Sequence, residues 1–232
     1  MSPHPLHGVV GLVALLLIRG ACADWSGSAT LVSDYRFRGI SLSDEKPAAQ
    51  LSVAYDHPLG WYAGLFASTT QFAYQSGRNP QVLSYLGYAR RLDSRLAWEA
   101  GAAYSAFGGY HDYDYPEIYA GIASDALSAR IHFAPDYFGQ GKQTIYAELN
   151  GSLALAGPFR LVGHVGGLHS DHGGVEDGAS HNQYDARVGV AINLDRTRIE
   201  LTAVRANVDS AIYPVNAGQR RSALVLGASY SF

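Results

Sequence analysis

The sequence predicts an all-β protein, a transmembrane antiparallel up-and-down β-barrel of about 12 strands. Three observations carry that expectation. The last segment, Ser222 to Phe232, alternates strictly, with Leu224, Leu226, Ala228, Tyr230 and Phe232 on one parity and Ala223, Val225, Gly227, Ser229 and Ser231 on the other. Side chains of a strand alternate between faces, so this strand has one greasy face and one small, wetter face. The first residues read as an export leader, and the segments between alternate tight turns with long links.

The leader comes first. The apolar run Val9 to Ile18 is followed by Ala21-Cys22-Ala23. An apolar stretch of this length ending in A-x-A is a signal peptide and is too short to span a bilayer as a helix. Residues 1–23 are therefore expected to be cleaved between Ala23 and Asp24, leaving the barrel domain 24–232. Lipidation of Cys22 is the alternative, but Arg19 and Gly20 make a poor lipobox. Cys22 is the only cysteine, so the mature chain would have no disulfide, thiolate metal site or cysteine nucleophile.

Twelve alternating segments follow, at about 26–38, 48–57, 61–69, 81–91, 96–104, 115–124, 127–134, 143–155, 159–169, 184–194, 197–205 and 222–232. His57-Pro-Leu-Gly60, Leu92-Asp-Ser94, Asp125-Ala126, Ala156-Gly-Pro158 and Asp195-Arg196 are tight turns. Longer links fall near 39–47, 70–80, 105–114, 135–142, 170–183 and 206–221. Short periplasmic turns opposite long extracellular loops are the habit of outer-membrane barrels. Segment 81–91 is ambiguous, because Leu83, Tyr85 and Leu86 straddle the faces, and a bulge is expected there.

Parity assigns the faces. Ile145, Ala147, Leu149, Leu153 and Leu155 oppose Thr144, Glu148, Asn150 and Ser152, and Leu127, Ala129, Ile131 and Phe133 oppose Arg130 and His132. Nearly every strand charge lies opposite the apolar stripe. A water-soluble sandwich shows the same alternation turned inside out, so the leader and the aromatics at strand ends decide: Trp25, Tyr35, Phe37, Trp61, Tyr104, Phe159 and Tyr184 suit interfacial girdles. The terminal Phe232 is expected to serve as the assembly signal read by the barrel-assembly machinery.

The run Leu31-Val-Ser-Asp-Tyr-Arg-Phe-Arg-Gly-Ile-Ser41, with Ser43-Asp44 and Pro47-Ala48, resembles the N-terminal motif of the TorF-type porins of proteobacteria. Trp61 to Leu65, Asp112 to Gly121 and Ala134 to Gly139 resemble later motifs of that family. The resemblance implies a porin-like outer-membrane barrel and transfers no catalytic residue.

The lumen candidates balance, with Arg36, Arg38, Arg90, Arg130, Arg160, Arg187 and Arg198 against Asp34, Asp56, Glu99, Glu117, Glu148, Asp185 and Glu200. Equal numbers predict weak ion selectivity or separate basic and acidic walls. The first function is therefore a narrow passive channel for small hydrophilic solutes. The alternative is a closed, salt-bridged structural barrel, since buried charges need partners. Asp34, Arg36 and Arg38 are read as an inward ladder on the first strand, either attracting an anionic solute or pairing to fix strand register.

Other chemistries have less support. A lipid hydrolase would need a serine, a histidine and an acid, and His169-Ser170-Asp171-His172 supplies the types; adjacent residues of an extended chain, however, point to opposite faces. His169, His172 and His181 suit a metal by type but not by any fixed geometry. The chain calls for no cofactor. A mature net charge of −4, from 16 basic and 20 acidic residues, argues against nucleic acid. The expected partners are outer-membrane lipid, lipopolysaccharide and the permeating solutes.

Overall fold

The computed structural model describes residues 24–72, 77–171, 181–207, 213–216 and 218–232. Twelve long strands form one closed antiparallel barrel, and a two-stranded hairpin is separate from it. In chain order the strands are β1 (Asp24–Val32), the hairpin β2 (Arg36–Phe37) and β3 (Ile40–Ser41), β4 (Ala48–Asp56), β5 (Trp61–Thr70), β6 (Asn79–Arg91), β7 (Ala97–Phe107), β8 (Tyr115–Ala123), β9 (Leu127–Ala134), β10 (Thr144–Ala154), β11 (Phe159–Ser170), β12 (His181–Leu194), β13 (Thr197–Ala206) and β14 (Ser222–Ser231). Every long strand pairs with its chain neighbour, and β1 closes the ring by pairing with β14 from Ser28↔Ser231 to Val32↔Gly227. Closure removes every sheet edge, which a bilayer requires because lipid cannot satisfy free backbone groups.

The faces follow parity. Leu31, Leu51, Leu65, Leu86, Ile118, Ile131, Leu149, Val165, Val188, Leu201 and Leu226 are exposed on the outside, while the neighbouring parity of each strand carries polar and charged side chains into the lumen. An apolar exterior around a polar interior inverts the soluble pattern and is the surface of a transmembrane barrel. Adjacent residues make the point: Leu149 is 46% exposed, whereas the side chain of Glu148 is 10% exposed. Trp25, Trp61, Tyr104, Phe159 and Tyr184 stand outward near strand ends, as interfacial aromatics should. Phe232 exchanges both backbone hydrogen bonds with Gly27, at 3.0 and 3.1 Å, and a side chain at Gly27 would collide with the Phe232 ring.

Several expectations change. The first barrel strand ends at Val32, not at residue 38, because the chain turns at Ser33-Asp34 and folds inward. Tyr35 and Phe37 consequently leave the interfacial girdle and pack inside the barrel. Strand β6 contains no bulge: its register runs unbroken from Gln81↔Phe107 to Arg91↔Ala97, with Leu83 and Tyr85 turned inward and Leu86 outward. Arg90 shares the outward parity of Leu86 and Tyr88 and is exposed at the short-turn rim, so it is not a lumen residue.

Candidate functional site

The site is the lumen, and its two ends differ. At the long-loop end a dry aromatic cluster fills the bore. Tyr35, Ile40 and Leu42 come from the inward segment, Phe107 and Tyr115 from strand ends, Tyr137 and Phe138 from the β9–β10 link, and Tyr213 from the β13–β14 link. Phe107 stacks on Phe138 at 5.3 Å, and Tyr137 meets Tyr115 edge-on at 4.9 Å. Tyr137 donates to the Tyr213 hydroxyl at 3.2 Å, and burial pushes the Tyr137 phenol up to about 12, so it stays protonated.

The segment between β1 and β4 is pinned by hydrogen bonds. Asp34 accepts from Arg36 Nε at 2.7 Å and from Ser41 Oγ at 2.6 Å, and Arg36 also donates to the carbonyls of Gly39 and Arg220. Gln219 exchanges both its amide groups with the Ser41 backbone, at 2.6 and 3.0 Å. The hairpin turns at Arg38-Gly39, both with positive φ (49° and 78°). That conformation costs an arginine energy and persists only where surrounding contacts enforce it. A Cβ on Gly39 would stand 2.6 Å from the Ala206 Cβ and 2.7 Å from the Asp185 Cβ, so the tip lies hard against β12 and β13. The Asp34–Arg36 pair therefore exists, but it braces this hairpin instead of setting barrel register.

Arg38 reaches from the tip to the opposite wall. Its Nη2 pairs with Glu117 on β8, and its guanidinium lies over Tyr146 at 4.2 Å, with Phe37 and Tyr137 within 5.2 Å. Burial opposes the charge, but Glu117 and the nearby phenols outweigh it and hold the guanidinium pKa well above its ordinary value.

Below the hairpin, acids and imidazoles alternate across five neighbouring strands. Glu117 (β8) stands 3.3 Å from His132 (β9), which is 3.8 Å from Glu148 (β10). Glu148 is 4.0 Å from His164 (β11), which lies 2.7 Å from Asp185 (β12). Tyr146 donates to Asp185 at 3.1 Å, and Asn150 Oδ1 sits 2.7 Å from His164. On the β5–β9 side Arg130 binds Glu99 through Nε and Nη2 at 3.0 and 2.5 Å, and Tyr62 links Glu99 to Tyr119. The hydroxyl end of the Tyr62 ring crowds Gly87, where any Cβ would collide with it.

The remaining sequence candidates lie nearer the short-turn end. Arg198 binds Glu200 at 2.7 Å and Asn193 at 3.1 Å, and Arg160 donates to Ser152 at 2.9 Å. Asp56 ends β4 on the inward parity, level with Asp24. Arg187 faces the lumen beside His164 in register. A cavity of about 200 Å³ is lined by Ser28, Thr30, Gln50, Ser52, Thr202 and Ser229 on β1, β4, β13 and β14, and by Glu117, Glu148, Asp185 and Arg187 on β8, β10 and β12. The hairpin tip, Phe37-Arg38-Gly39, forms its ceiling.

The structure thus brings Glu117, Glu148, Asp185 and Arg38 together, and separately Glu99 with Arg130 and Arg198 with Glu200. Sequence reasoning missed Tyr62, Tyr119, Tyr146, Gln183 and Gln219 as lumen residues, although their inward parity was readable for those on strands. Ser170 and His169 do not pair: Ser170 is buried and donates to the Asp171 carbonyl, while His169 points outward to Asn182 and Asp171. His172 and the side chain of His181 lie outside the described residues. Among the described residues no group of three His, Cys, Asp or Glu could hold a metal ion.

A family profile described as bacterial protein of unknown function (Gcw_chp) matches residues 20–228. The chain belongs to this family. No curated protein matches the sequence. Among solved structures the barrel is similar to the KdgM porin, with a TM-score of 0.55, 11% identity, and 89% of this chain covering 99% of that one. It is also similar to the COG4313 outer-membrane channel of Pseudomonas putida F1, with a TM-score of 0.51, 10% identity, and coverage of 89% and 94%. At such identities the likeness establishes the fold, a barrel of the outer-membrane porin type.

Proposed function

We propose that this member of the Gcw_chp family is a porin-like outer-membrane channel of narrow bore for passive diffusion of small hydrophilic solutes, seen here closed at its long-loop end. The carrying observation is the cavity of about 200 Å³ inside an outwardly apolar barrel, reached by serine, threonine and charged side chains and ended by a folded-in hairpin and not by a barrel wall. The TorF-type resemblance supports the same reading. Residues 1–23 would be removed between Ala23 and Asp24 on export, the barrel-assembly machinery would read Phe232, and the long loops would meet lipopolysaccharide. The work is not enzymatic: the lumen charges order water and orient charged solutes.

The test shortens the segment between β1 and β4, replacing residues 35–44 by a short Gly-Ser link, and measures planar-bilayer conductance of refolded protein. The parent should open rarely, and the shortened barrel should conduct steadily. A shortened barrel that folds, as judged by heat-modifiable gel mobility, yet stays silent would overturn the channel in favour of a closed, salt-bridged surface barrel. The dry aromatic cluster is the observation that favours that second reading.

A further inference from the structure

The Arg38 contact differs from the wall and hairpin ion pairs described above. Glu99–Arg130 and Arg198–Glu200 join residues of the barrel wall, and Asp34–Arg36 stays within the inward segment. Arg38–Glu117 alone among these pairs joins the segment to the wall on which the alternating acids and imidazoles lie. It is held at a cost on two counts. The Arg38 backbone sits at a φ of 49°, and its Nη1 is buried without a hydrogen bond. Both raise the energy of the seated state relative to a withdrawn hairpin. The contact itself is made by a paired charge and a tyrosine face, beside the apolar burial of Tyr35, Ile40 and Leu42 on the same segment.

We propose that Arg38 is a built-in counter-ion that latches the channel, and that the socket it fills is a site for guanidinium- or ammonium-bearing cations. The socket consists of the Glu117 carboxylate beneath the faces of Tyr146 and Tyr137, a combination that suits a planar or compact cation. With the tip withdrawn, Glu117, Glu148 and Asp185 face the bore from β8, β10 and β12, opposed by Arg187 and interleaved with His132 and His164. Arg130 is engaged by Glu99 on the same side. Removal of one positive charge from this girdle leaves it acidic, so the open state should favour cations. The inference rests on the channel reading and names the charge class that the channel passes.

The experiment compares Arg38→Gln, Arg38→Lys and the double variant Arg38→Gln/Glu117→Gln with the parent and with the shortened barrel. Conductance and the reversal potential in a salt gradient are read for each. A second readout needs no conduction: the rate at which a thiol reagent labels Ile40→Cys in a Cys22→Ser background, Ile40 being fully buried in the seated hairpin. Arg38→Gln should raise the open fraction and the Ile40→Cys labelling rate at least tenfold and move the reversal potential toward cations. Arg38→Lys should fall between parent and Arg38→Gln, since it keeps charge but loses the planar fork. The double variant should open as readily but with weaker cation preference. Millimolar guanidinium should slow current through Arg38→Gln and leave the double variant unaffected. Unchanged labelling in Arg38→Gln, or an open state without cation preference, overturns the latch while a conducting shortened barrel keeps the channel reading. A silent shortened barrel overturns both.

Discussion

The two ends of the lumen are enclosed by the same twelve strands, yet one is filled by packed aromatic rings and the other is hollow. At the long-loop end the filling comes from outside the barrel wall, from the segment between β1 and β4 and the links carrying Phe138 and Tyr213. At the short-turn end no link is long enough to fold inward, and serine, threonine and glycine on β14, β1 and β4 leave room that water can occupy. The difference teaches that strand alternation decides what a barrel wall presents, whereas loop length decides whether the bore is open.

Equal truncations at the centre of the aromatic cluster and at its margin on the cavity should cost unequally. Phe138→Ala removes a fully buried ring stacked on Phe107 and packed against Tyr115 and Tyr213, and should cost about 3–5 kcal/mol in urea refolding into lipid vesicles. Phe66→Ala removes a ring that touches Tyr35 on one side and borders the cavity on another, and should cost distinctly less. Matching losses would mean that the cavity margin is packed as tightly as the filled end. Smaller is the contrast across the wall. Leu149→Arg turns a charge toward lipid, at about 2–4 kcal/mol near the midplane. The neighbouring substitution, Glu148→Gln, should fold normally and, in the shortened barrel, move the reversal potential toward anions. If both variants refold equally well in lipid, the assignment of inward and outward faces is wrong.

Much of this was legible beforehand because a period of two in the sequence leaves little freedom. Once Leu149 is outward, Glu148 must be inward, and the same logic placed Glu99, Glu117, Arg130, Asp185, Arg187, Arg198 and Glu200 in the lumen. The segment after Val32 misled because Asp34, Arg36 and Arg38 continue the alternation of β1 for six residues beyond its end. A contrary signal was present: Ile40 and Leu42 put large apolar groups on the parity that is polar elsewhere, which fits burial inside a bore and not a wall strand. Arg90 was misplaced for a related reason. Leu83 and Tyr85 are apolar yet inward, so the face of β6 could not be set by hydrophobicity alone. The pairing of Arg38 with Glu117, which are 79 residues apart, had no local trace at all.

Solvent access along the lumen tests the central claim most directly. Single cysteines in a Cys22→Ser background would be placed at Ser28 and Ser52, which line the cavity, and at Ala134 and Ala206, which lie in the aromatic cluster. Their reaction with a small charged thiol reagent would be followed in detergent micelles, where both ends of the barrel meet water. The account predicts rapid labelling of Ser28→Cys and Ser52→Cys, slow labelling of Ala134→Cys and Ala206→Cys, and loss of the difference when residues 35–44 are replaced by the short link. Equal rates at all four positions in the intact barrel would contradict it.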